Sequence, residues 1–270
     1  MPTTADKRAT FHKMHEAGCF VLPNPWDVGS AKALQHMGFK AIASTSAGFA
    51  WAIGKADNRV TLDEVCDHLT ALCAAVDLPV NADFEGGFAH KPEKVGAHVA
   101  RAVTTGVAGL SIEDSTGDAE KPLYERGLAI ERIKAARAAI DADHSGVVLV
   151  GRCEGCLVGQ ADLNLVIDRL QAYADAGADC LYAPGIRTKE QIAAVVKAVH
   201  PKPVNLLLGW PGLSVAEVAD LGVRRISIGG SLARAAWGGF MRAAREIAEK
   251  GTFTELGSGY PGGELNKMFG

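Results

Sequence analysis

The chain has 270 residues, of which 48% are apolar and 22% charged, and its formal net charge at pH 7 is −3. This small negative charge does not indicate the positively charged surface that binds nucleic acid or an anionic membrane, so we expect neither as a partner. No apolar run approaches the ~20 residues that span a bilayer, and residues 1–13 are polar without a secretory signal. These features predict a cytoplasmic globular protein.

Eight short runs rich in Val, Ile and Leu alternate with longer segments of helical period, a pattern typical of parallel α/β proteins. The predicted strands are Cys19–Leu22, Lys40–Ser44, Leu78–Ala82, Ala108–Ile112, Val147–Val150, Ala178–Ala183, Pro203–Leu207 and Arg224–Ile228. The predicted helices are Asp6–Ala17, Val28–Met37, Thr61–Val76, Pro92–Thr105, Arg126–Asp141, Asp162–Ala176, Lys189–Val199, Val215–Leu221 and Ser231–Glu249. The first of these helices precedes the first strand, and eight strand–helix units follow it. The pattern predicts a single (β/α)8 barrel domain over residues 1–270.

The last segment of the chain differs in composition from the barrel. Gly257–Gly263 is rich in Gly and Pro, which argues against a helix there. We expect residues 251–270 to form a loop or a tail that lies on a neighbouring subunit.

Acidic residues follow two neighbouring strands at the end where a barrel carries its active site. Asp83 and Glu85 are two residues apart, so on a strand their side chains would point to the same side. Glu113 follows the next strand, and Asp114 is expected to support or cap its neighbours. Carboxylates that converge in this way repel one another unless a cation lies between them. A cluster of oxygen ligands suits Mg²⁺ better than a soft metal.

Three further features lie at this same end of the predicted strands. Arg152 is the cation that ends strand five. The small residues of Thr45–Gly48 leave backbone N–H groups open to a carboxylate. Asp57 has no obvious local partner except Lys55 or Arg59. Each feature has an alternative interpretation. Arg152 would then only balance buried charge, Thr45–Gly48 would be a tight turn that needs small residues, and Asp57 would be a solvated loop acid.

Several reaction classes lack their usual residues in this chain. No lysine ends a predicted strand, which disfavours a Schiff-base aldolase, and no histidine does so, which disfavours a zinc site. Phosphate-binding glycine motifs are missing. Cys153 and Cys156 match C-x-x-C, but the six cysteines are scattered, and we expect reduced thiols.

Taken together, several motifs resemble the isocitrate lyase/phosphoenolpyruvate mutase superfamily over nearly the whole chain. They are Asn24-Pro25-Trp26-Asp27, Thr45-Ser46-Ala47-Gly48, Asp57, Asp83-Phe84-Glu85-Gly86-Gly87, Ile112-Glu113-Asp114 and Arg152. The resemblance implies Mg²⁺, or Mn²⁺ in its place, held by Asp83, Glu85 and Glu113 partly through water. A 2-oxo acid would chelate this metal.

The same resemblance assigns roles to other residues. Ser46, Ala47 and Gly48 would bind the substrate carboxylate, and Asp57 and Arg152 would face the reacting end. Trp26 and Asn205 become candidate substrate-binding residues, although Asn205 lies two positions early in the alignment. Members of the superfamily are usually tetramers that exchange their last barrel helix. The resemblance therefore implies a homo-oligomer, a dimer or a tetramer, with Ser231–Glu249 against a partner.

Departures from the superfamily pattern narrow the range of superfamily reactions expected of this chain. The lyases that cleave isocitrate carry a Lys-x-Cys-Gly-His loop after strand four, but Asp114–Tyr124 has neither Cys nor His. The same segment does not match the Lys-x-Asn-Ser loop of the phosphonopyruvate branch. After strand six the lyases place a Glu, where this chain has Tyr182-Ala183-Pro184-Gly185.

The sequence therefore favours a Mg²⁺-dependent lyase or decarboxylase that cleaves a C–C bond in a small 2-oxo or 2-hydroxy acid. The metal and Arg152 would stabilise an enolate in the transition state. Two alternatives stay open. One is a mutase or hydrolase that acts on the P–C bond of a phosphonate, and the other is a non-catalytic barrel that binds a 2-oxo acid.

Overall fold

Eight parallel strands form one sheet in the structure, a computed structural model that describes residues 2–159 and 162–270. The strands are β1 (Phe20–Leu22), β2 (Ile42–Ala43), β3 (Val80–Asp83), β4 (Gly109–Glu113), β5 (Val148–Arg152), β6 (Cys180–Tyr182), β7 (Val204–Leu207) and β8 (Arg225–Ser227). From β2 to β8 each strand pairs with the next, and β8 pairs with β1. The Ala43 N–H donates to the Pro23 carbonyl at 3.0 Å, which brings β1 and β2 together. The predicted (β/α)8 barrel is confirmed.

The helices surround this barrel. They are α1 (Thr4–Met14), α2 (Val28–His36), α3 (Ser46–Ala52), α4 (Leu62–Ala75), α5 (Pro92–Thr104), α6 (Arg126–Ala142), α7 (Leu163–Asp175), α8 (Lys189–Val199), α9 (Val215–Asp220), α10 (Ser231–Lys250) and α11 (Gly262–Phe269). The extra N-terminal helix is confirmed as α1. All eight strand predictions overlap the observed strands, but β3, β4 and β5 run one or two residues further. Their last residues are Asp83, Glu113 and Arg152.

Two predicted loops contain helices. Thr45 caps α3, since its Oγ1 accepts a hydrogen bond from the Gly48 N–H at 3.3 Å. The prediction that Gly257–Gly263 contains no helix was wrong, because Gly262 and Gly263 begin α11 and residues Thr254–Ser258 form a 3₁₀ turn. The reason is the sequence that follows the glycines. Glu264 and Lys267 form an ion pair at 2.8 Å along one helix face.

Two apolar cores hold the barrel in place. The larger core lies between the strands and the surrounding helices, and the smaller one fills the barrel interior with inward-facing strand residues. Phe11 of α1 is fully buried in the smaller core and closes the amino-terminal end of the barrel. Gly109 permits this closure, because an added Cβ would lie 2.6 Å from Asn81 Oδ1 and 2.7 Å from the Phe11 ring.

Helix α10 packs weakly on its own barrel. Ala233 is its one buried residue, while Trp237, Phe240 and Met241 are exposed, Phe240 at 60%. No helix in the described ranges is both long and apolar enough to cross a membrane. The cysteines are free thiols.

Candidate active site

Two cavities open at the carboxyl ends of the strands. The first has a volume of about 180 Å³ and is bordered by the predicted site residues Ser46, Ala47, Asp57, Asp83 and Arg152. The second, of about 250 Å³, is bordered by the predicted metal ligands Glu85 and Glu113. The structure thus brings seven predicted residues to one end of the barrel, in two neighbouring compartments.

Arg152 connects the two compartments. Its Nη1 lies 3.1 Å from Asp83 Oδ1 and 3.4 Å from Glu113 Oε2, and its Nε donates to Glu154. The guanidinium carbon lies 5.1 Å from the centre of the Tyr182 ring. Burial by itself would lower the pKa of Arg152, but the surrounding carboxylates, Glu154 first, raise it well above the usual range. The contacts fix a permanent positive charge at the mouth of the barrel.

The start of α3 is organised around Asp83. Asp83 Oδ2 accepts a hydrogen bond from the Ser46 N–H at 2.9 Å, and the Gly48 N–H donates to Thr45. Two of the three N–H groups predicted to hold a substrate carboxylate therefore have protein partners. The Ala47 N–H lies in the first helical turn, which has no acceptor within the helix, and Ala47 borders the first cavity.

Two predicted substrate-binding residues do not border this cavity. Trp26 packs near Trp237 and Phe240 of α10, in a separate groove. Asn205 is fully buried in the barrel, where its Nδ2 donates to Ser227 Oγ at 3.0 Å and its Oδ1 accepts from Arg225 Nε at 2.8 Å. Gly48 is buried too, and an added Cβ there would lie 2.6 Å from Thr45 and 3.0 Å from Trp26. In this structure, packing accounts for Gly48 and hydrogen bonding for Asn205.

Glu85 does not lie on a strand. Strand β3 ends at Asp83, and Glu85 adopts a left-handed backbone with φ 47°. The alternation argument for Glu85 was therefore wrong, which explains why Asp83 and Glu85 border different cavities. Two other residues around the second cavity, Asn58 and Phe88, also have positive φ angles, of 60° and 56°. Such backbone conformations cluster at functional sites.

The carboxylates around Arg152 are suited to a divalent cation. Burial raises the pKa of Glu85 to about 8, and the charges of Asp83 and Asp57 add to this effect. Burial also raises the pKa of Glu113 to about 8, in spite of Arg152. Glu85 Oε1 is buried and has no hydrogen-bond partner among residues 2–159 and 162–270. Within the described residues no three metal-ligating side chains converge tightly, so an ion here would need water ligands as well.

This pair of glutamates predicts how the stability of the metal-free protein depends on pH. The folded protein holds these protons up to pKa values of about 8, whereas unfolded chains release them near 4.5. Between these values the folded state binds more protons at the two glutamates. Burial lowers the pKa of His15 to about 3 and that of His68 to about 4, so these imidazoles oppose the glutamates below their usual pKa of 6.5. The free energy of unfolding should therefore fall as the pH rises from about 6.5 to 8. Glu113→Gln should flatten this slope, and the exposed Glu131→Gln should leave it unchanged. Urea unfolding midpoints across this pH range, in excess chelator, test the prediction. A flat wild-type profile would contradict it.

Several residues around the site were not assigned roles from the sequence. Tyr182 ends β6 beside Arg152, and burial raises the pKa of its phenol to about 12. In the second cavity the Tyr124 hydroxyl lies 2.5 Å from His90 Nδ1, and the Arg132 guanidinium lies 3.9 Å from the centre of the Tyr124 ring. The position of Tyr182 near the carboxyl end of predicted strand six was a usable signal. The Tyr124–His90 contact joins residues 34 positions apart and had no signal in the sequence.

Asp114 supports the loops as expected. It is 2% exposed, and its carboxylate accepts hydrogen bonds from the Glu154 N–H at 2.8 Å and the Tyr173 hydroxyl at 2.6 Å. Arg169 forms an ion pair with the same carboxylate at 3.2 Å. These contacts hold the segment after β5 against the segment after β4. They place Asp114 behind the cavities rather than on their surface.

Comparison with known proteins identifies the family. A family model described as phosphoenolpyruvate phosphomutase matches residues 11–248. The chain belongs to the phosphoenolpyruvate mutase family. Two uncharacterized proteins of Mycobacterium tuberculosis strains are 35% identical to it over 242 residues, which is 89% of each chain. An oxaloacetate decarboxylase of Rhodopseudomonas palustris is 31% identical over 175 residues, 63% of this family member and 57% of the decarboxylase.

Solved structures give the same assignment. A candidate lyase/mutase from Burkholderia cenocepacia J2315 has a TM-score of 0.95 and 47% identity, covering 98% of this family member and 97% of that chain. Oxaloacetate acetylhydrolase with bound oxalate has a TM-score of 0.88 and 25% identity, covering 100% and 96%. A 2,3-dimethylmalate lyase has a TM-score of 0.87 and 26% identity, covering 100% and 95%. These comparisons place the family member in the PEP mutase/isocitrate lyase superfamily.

Proposed function

We propose that this enzyme is a metal-dependent lyase or decarboxylase that cleaves a C–C bond in a small 2-oxo or 2-hydroxy acid. The observation that carries the proposal is the position of Arg152, which is fixed by three carboxylates where it borders the first cavity. An enolate or alkoxide that forms there meets a charge already in place, and such preorganised charges are a large source of rate enhancement. The named relatives that act on oxaloacetate and on 2,3-dimethylmalate support this reaction class.

Asp83, Glu85 and Glu113 would hold Mg²⁺, with Mn²⁺ as an alternative. The support is the partnerless Oε1 of Glu85 and the raised pKa values of Glu85 and Glu113, which a nearby divalent cation would lower again. When bound, the ion would polarise the carbonyl or hydroxyl oxygen of the substrate as a Lewis acid.

The remaining residues of the first cavity have roles that do not depend on the ion. The Ala47 N–H is the donor we assign to a substrate carboxylate. Burial, together with the charge of Asp83, raises the pKa of Asp57, so this carboxyl group can exchange a proton closer to neutral pH than an exposed aspartate. Trp26 and Gly48 contribute through packing near α3 and α10, and Asn205 contributes through hydrogen bonds inside the barrel.

The size of the cavity limits the substrate. Pockets for drug-sized ligands are usually about 300–1,000 Å³, whereas this one has about 180 Å³. We infer an acid of about four to six carbon atoms and place oxaloacetate first.

A direct assay tests this function. Oxaloacetate, 2-methylmalate, isocitrate and phosphonopyruvate are each incubated with Mg²⁺, with Mn²⁺ and with excess chelator, and pyruvate, glyoxylate, CO₂ and phosphate are measured. The proposal expects C–C cleavage of oxaloacetate or 2-methylmalate that chelator abolishes. If only phosphonopyruvate is cleaved, the proposed C–C lyase function is replaced by P–C bond chemistry. This chemistry is the second candidate because the phosphoenolpyruvate phosphomutase family model matches the chain.

Isocitrate should not be a substrate. The segment Asp114–Tyr124 contains neither Cys nor His and pairs with itself through Ser115 and Leu123, so it lacks the proton donor of the isocitrate-cleaving branch. We expect glyoxylate formation below about a hundredth of the typical enzymatic kcat of ~10 s⁻¹. Glyoxylate release at an ordinary enzymatic rate would refute this prediction.

We also propose that the enzyme is a homo-oligomer, a dimer or a tetramer. The support is α10, whose exposed Trp237, Phe240 and Met241 form an apolar surface of the kind that marks interfaces. An exchange of α10 between subunits would cover this surface. The mass of the full chain in solution, measured by light scattering, tests the assembly.

A further inference from the structure

A second arginine lies deeper in the first cavity. Arg225 begins β8, is 2% exposed and borders the same 180 Å³ space as Arg152. Its Nε donates to Asn205 Oδ1 at 2.8 Å. Its Nη1 lies 3.3 Å from Asn81 Oδ1 and 3.4 Å from His15 Nε2. All these partners are amides or an imidazole.

Arg225 therefore has no negative partner in the part of the chain that the structure describes. No carboxylate there lies within 4.0 Å of its guanidinium nitrogens, and none is among the groups that shift its pKa, which are its own burial, Cys180 and Tyr182. Arginine stays protonated in proteins, and a buried charge is normally paired. Arg152 follows that rule with three carboxylates, whereas Arg225 departs from it.

The neighbouring histidine does not supply the missing charge. His15 Nδ1 lies 2.7 Å from the Phe11 carbonyl oxygen, so Nδ1 donates and Nε2 accepts from Arg225. Burial and the adjacent Arg225 lower the pKa of His15 to about 3, which keeps the imidazole neutral. The floor of the cavity thus carries one uncompensated positive charge.

One end of the Arg225 guanidinium is available to a ligand. Nη2 donates no hydrogen bond to a side chain or backbone group in the described ranges. It is not one of the fully buried side-chain atoms there that lack a partner, so protein does not enclose it completely. Arg225 borders the first cavity, so we assign Nη2 to that space, which the hydroxyl-bearing Ser111 and Ser227 also border.

The depth of Arg225 fits a short diacid. Asn81, which contacts Arg225, precedes Asp83 by two residues on β3, so both point into the barrel about 7 Å apart along the strand. An acid of four or five carbons spans this length.

We propose that Arg225 and the serine hydroxyls around it form a carboxylate-binding site at the floor of the barrel, which makes the enzyme selective for four- or five-carbon dicarboxylates. The proposal rests on the proposed function, because it places the second carboxylate of the substrate in that same cavity. Arg225 is a binding residue here, while Arg152 serves the reacting end.

Ligand binding without turnover tests the site. Succinate and butyrate have the same four-carbon chain and differ by one carboxylate, and each is titrated calorimetrically into the full-length protein in excess chelator at constant ionic strength. We expect succinate to bind at least tenfold more tightly than butyrate and to raise the Tm by mass action. Arg225→Met should weaken succinate binding at least tenfold and remove the Tm increase. Arg224→Met, which loses the same charge from the neighbouring residue, should change neither.

The outcomes separate this site from the proposed reaction. Equal binding of succinate and butyrate by the wild-type protein, or unchanged succinate affinity in Arg225→Met, would overturn the site even if lyase activity is found. If Arg225→Met fails to fold, Arg225→Lys, which keeps the charge without the planar fork, should still prefer succinate but bind it more weakly than the wild type. Succinate affinity in Arg225→Lys equal to that of the wild type would also count against the site. Selective succinate binding by an inactive protein would uphold the site and reject the lyase.

Discussion

Asp83→Ala should abolish metal binding and lower kcat/KM by at least about 10³-fold, with the barrel intact. Asp83 ends β3, accepts a hydrogen bond from the Ser46 N–H at 2.9 Å and forms an ion pair with Arg152 at 3.1 Å. Its removal takes away a proposed metal ligand and frees Arg152 from one partner. Binding of Mn²⁺ by electron paramagnetic resonance, together with turnover at saturating Mg²⁺, measures both consequences.

Two further variants separate a metal ligand from a structural acid. Asp83→Asn keeps an oxygen for the Ser46 N–H but loses the charge, and we expect it to lose Mn²⁺ binding as well. Asp77→Ala makes the same change as Asp83→Ala at an exposed position just before β3, and it should behave as the wild type. Full activity of Asp83→Ala, or of the wild type in excess chelator, would reject the metal-dependent mechanism.

Arg152→Lys should lower kcat on the order of 10²-fold with little change in KM. Lysine keeps the positive charge but cannot reproduce the planar fork that contacts Asp83, Glu113 and Glu154 at once. A flexible ammonium group would leave the charge less well placed for the oxyanion of the transition state. Steady-state kinetics on the substrate found in the assay panel measures the effect.

The competing interpretation is that Arg152 only balances buried carboxylates. It expects a lower unfolding midpoint and near-normal kcat for the folded fraction, so the midpoint and kcat are measured on the same samples. Arg126→Lys is the matched control, because Arg126 pairs with Asp168 through two hydrogen bonds of 2.5 and 2.9 Å at an exposed position. A destabilised but fully active Arg152→Lys would remove the catalytic assignment.

The amino-acid sequence determined the barrel and the end that carries the site. Each of the eight strands is a short apolar run, and in a parallel barrel all these runs end at the same rim. Asp83, Glu113 and Arg152 could therefore be placed together before any contact was known, and the structure makes each the last residue of its strand. The extra helix α1 was also predicted from the sequence, with a start two residues later than the one observed.

Local pattern was insufficient where the backbone leaves its regular geometry. Glu85 was placed beside Asp83 by strand alternation, but the chain turns to a left-handed conformation at Glu85 and sends it to the second cavity. The glycines before α11 suggested a loop, although glycine at the first positions of a helix does not prevent the residues that follow from forming it.

Only the tertiary structure decided which charges are paired. Arg152 meets Asp83 across 69 positions of sequence, and Arg225 meets Asn81 across 144. In the sequence Arg152 ends an apolar strand and Arg225 lies at the start of one, but neither pattern shows which groups lie beside the two charges. The fold surrounds one with carboxylates and the other with amides and an imidazole, because their neighbours come from other strands and from α1. Pairing depends on distances between strands set by closure of the whole barrel, and neither composition nor local periodicity contains those distances.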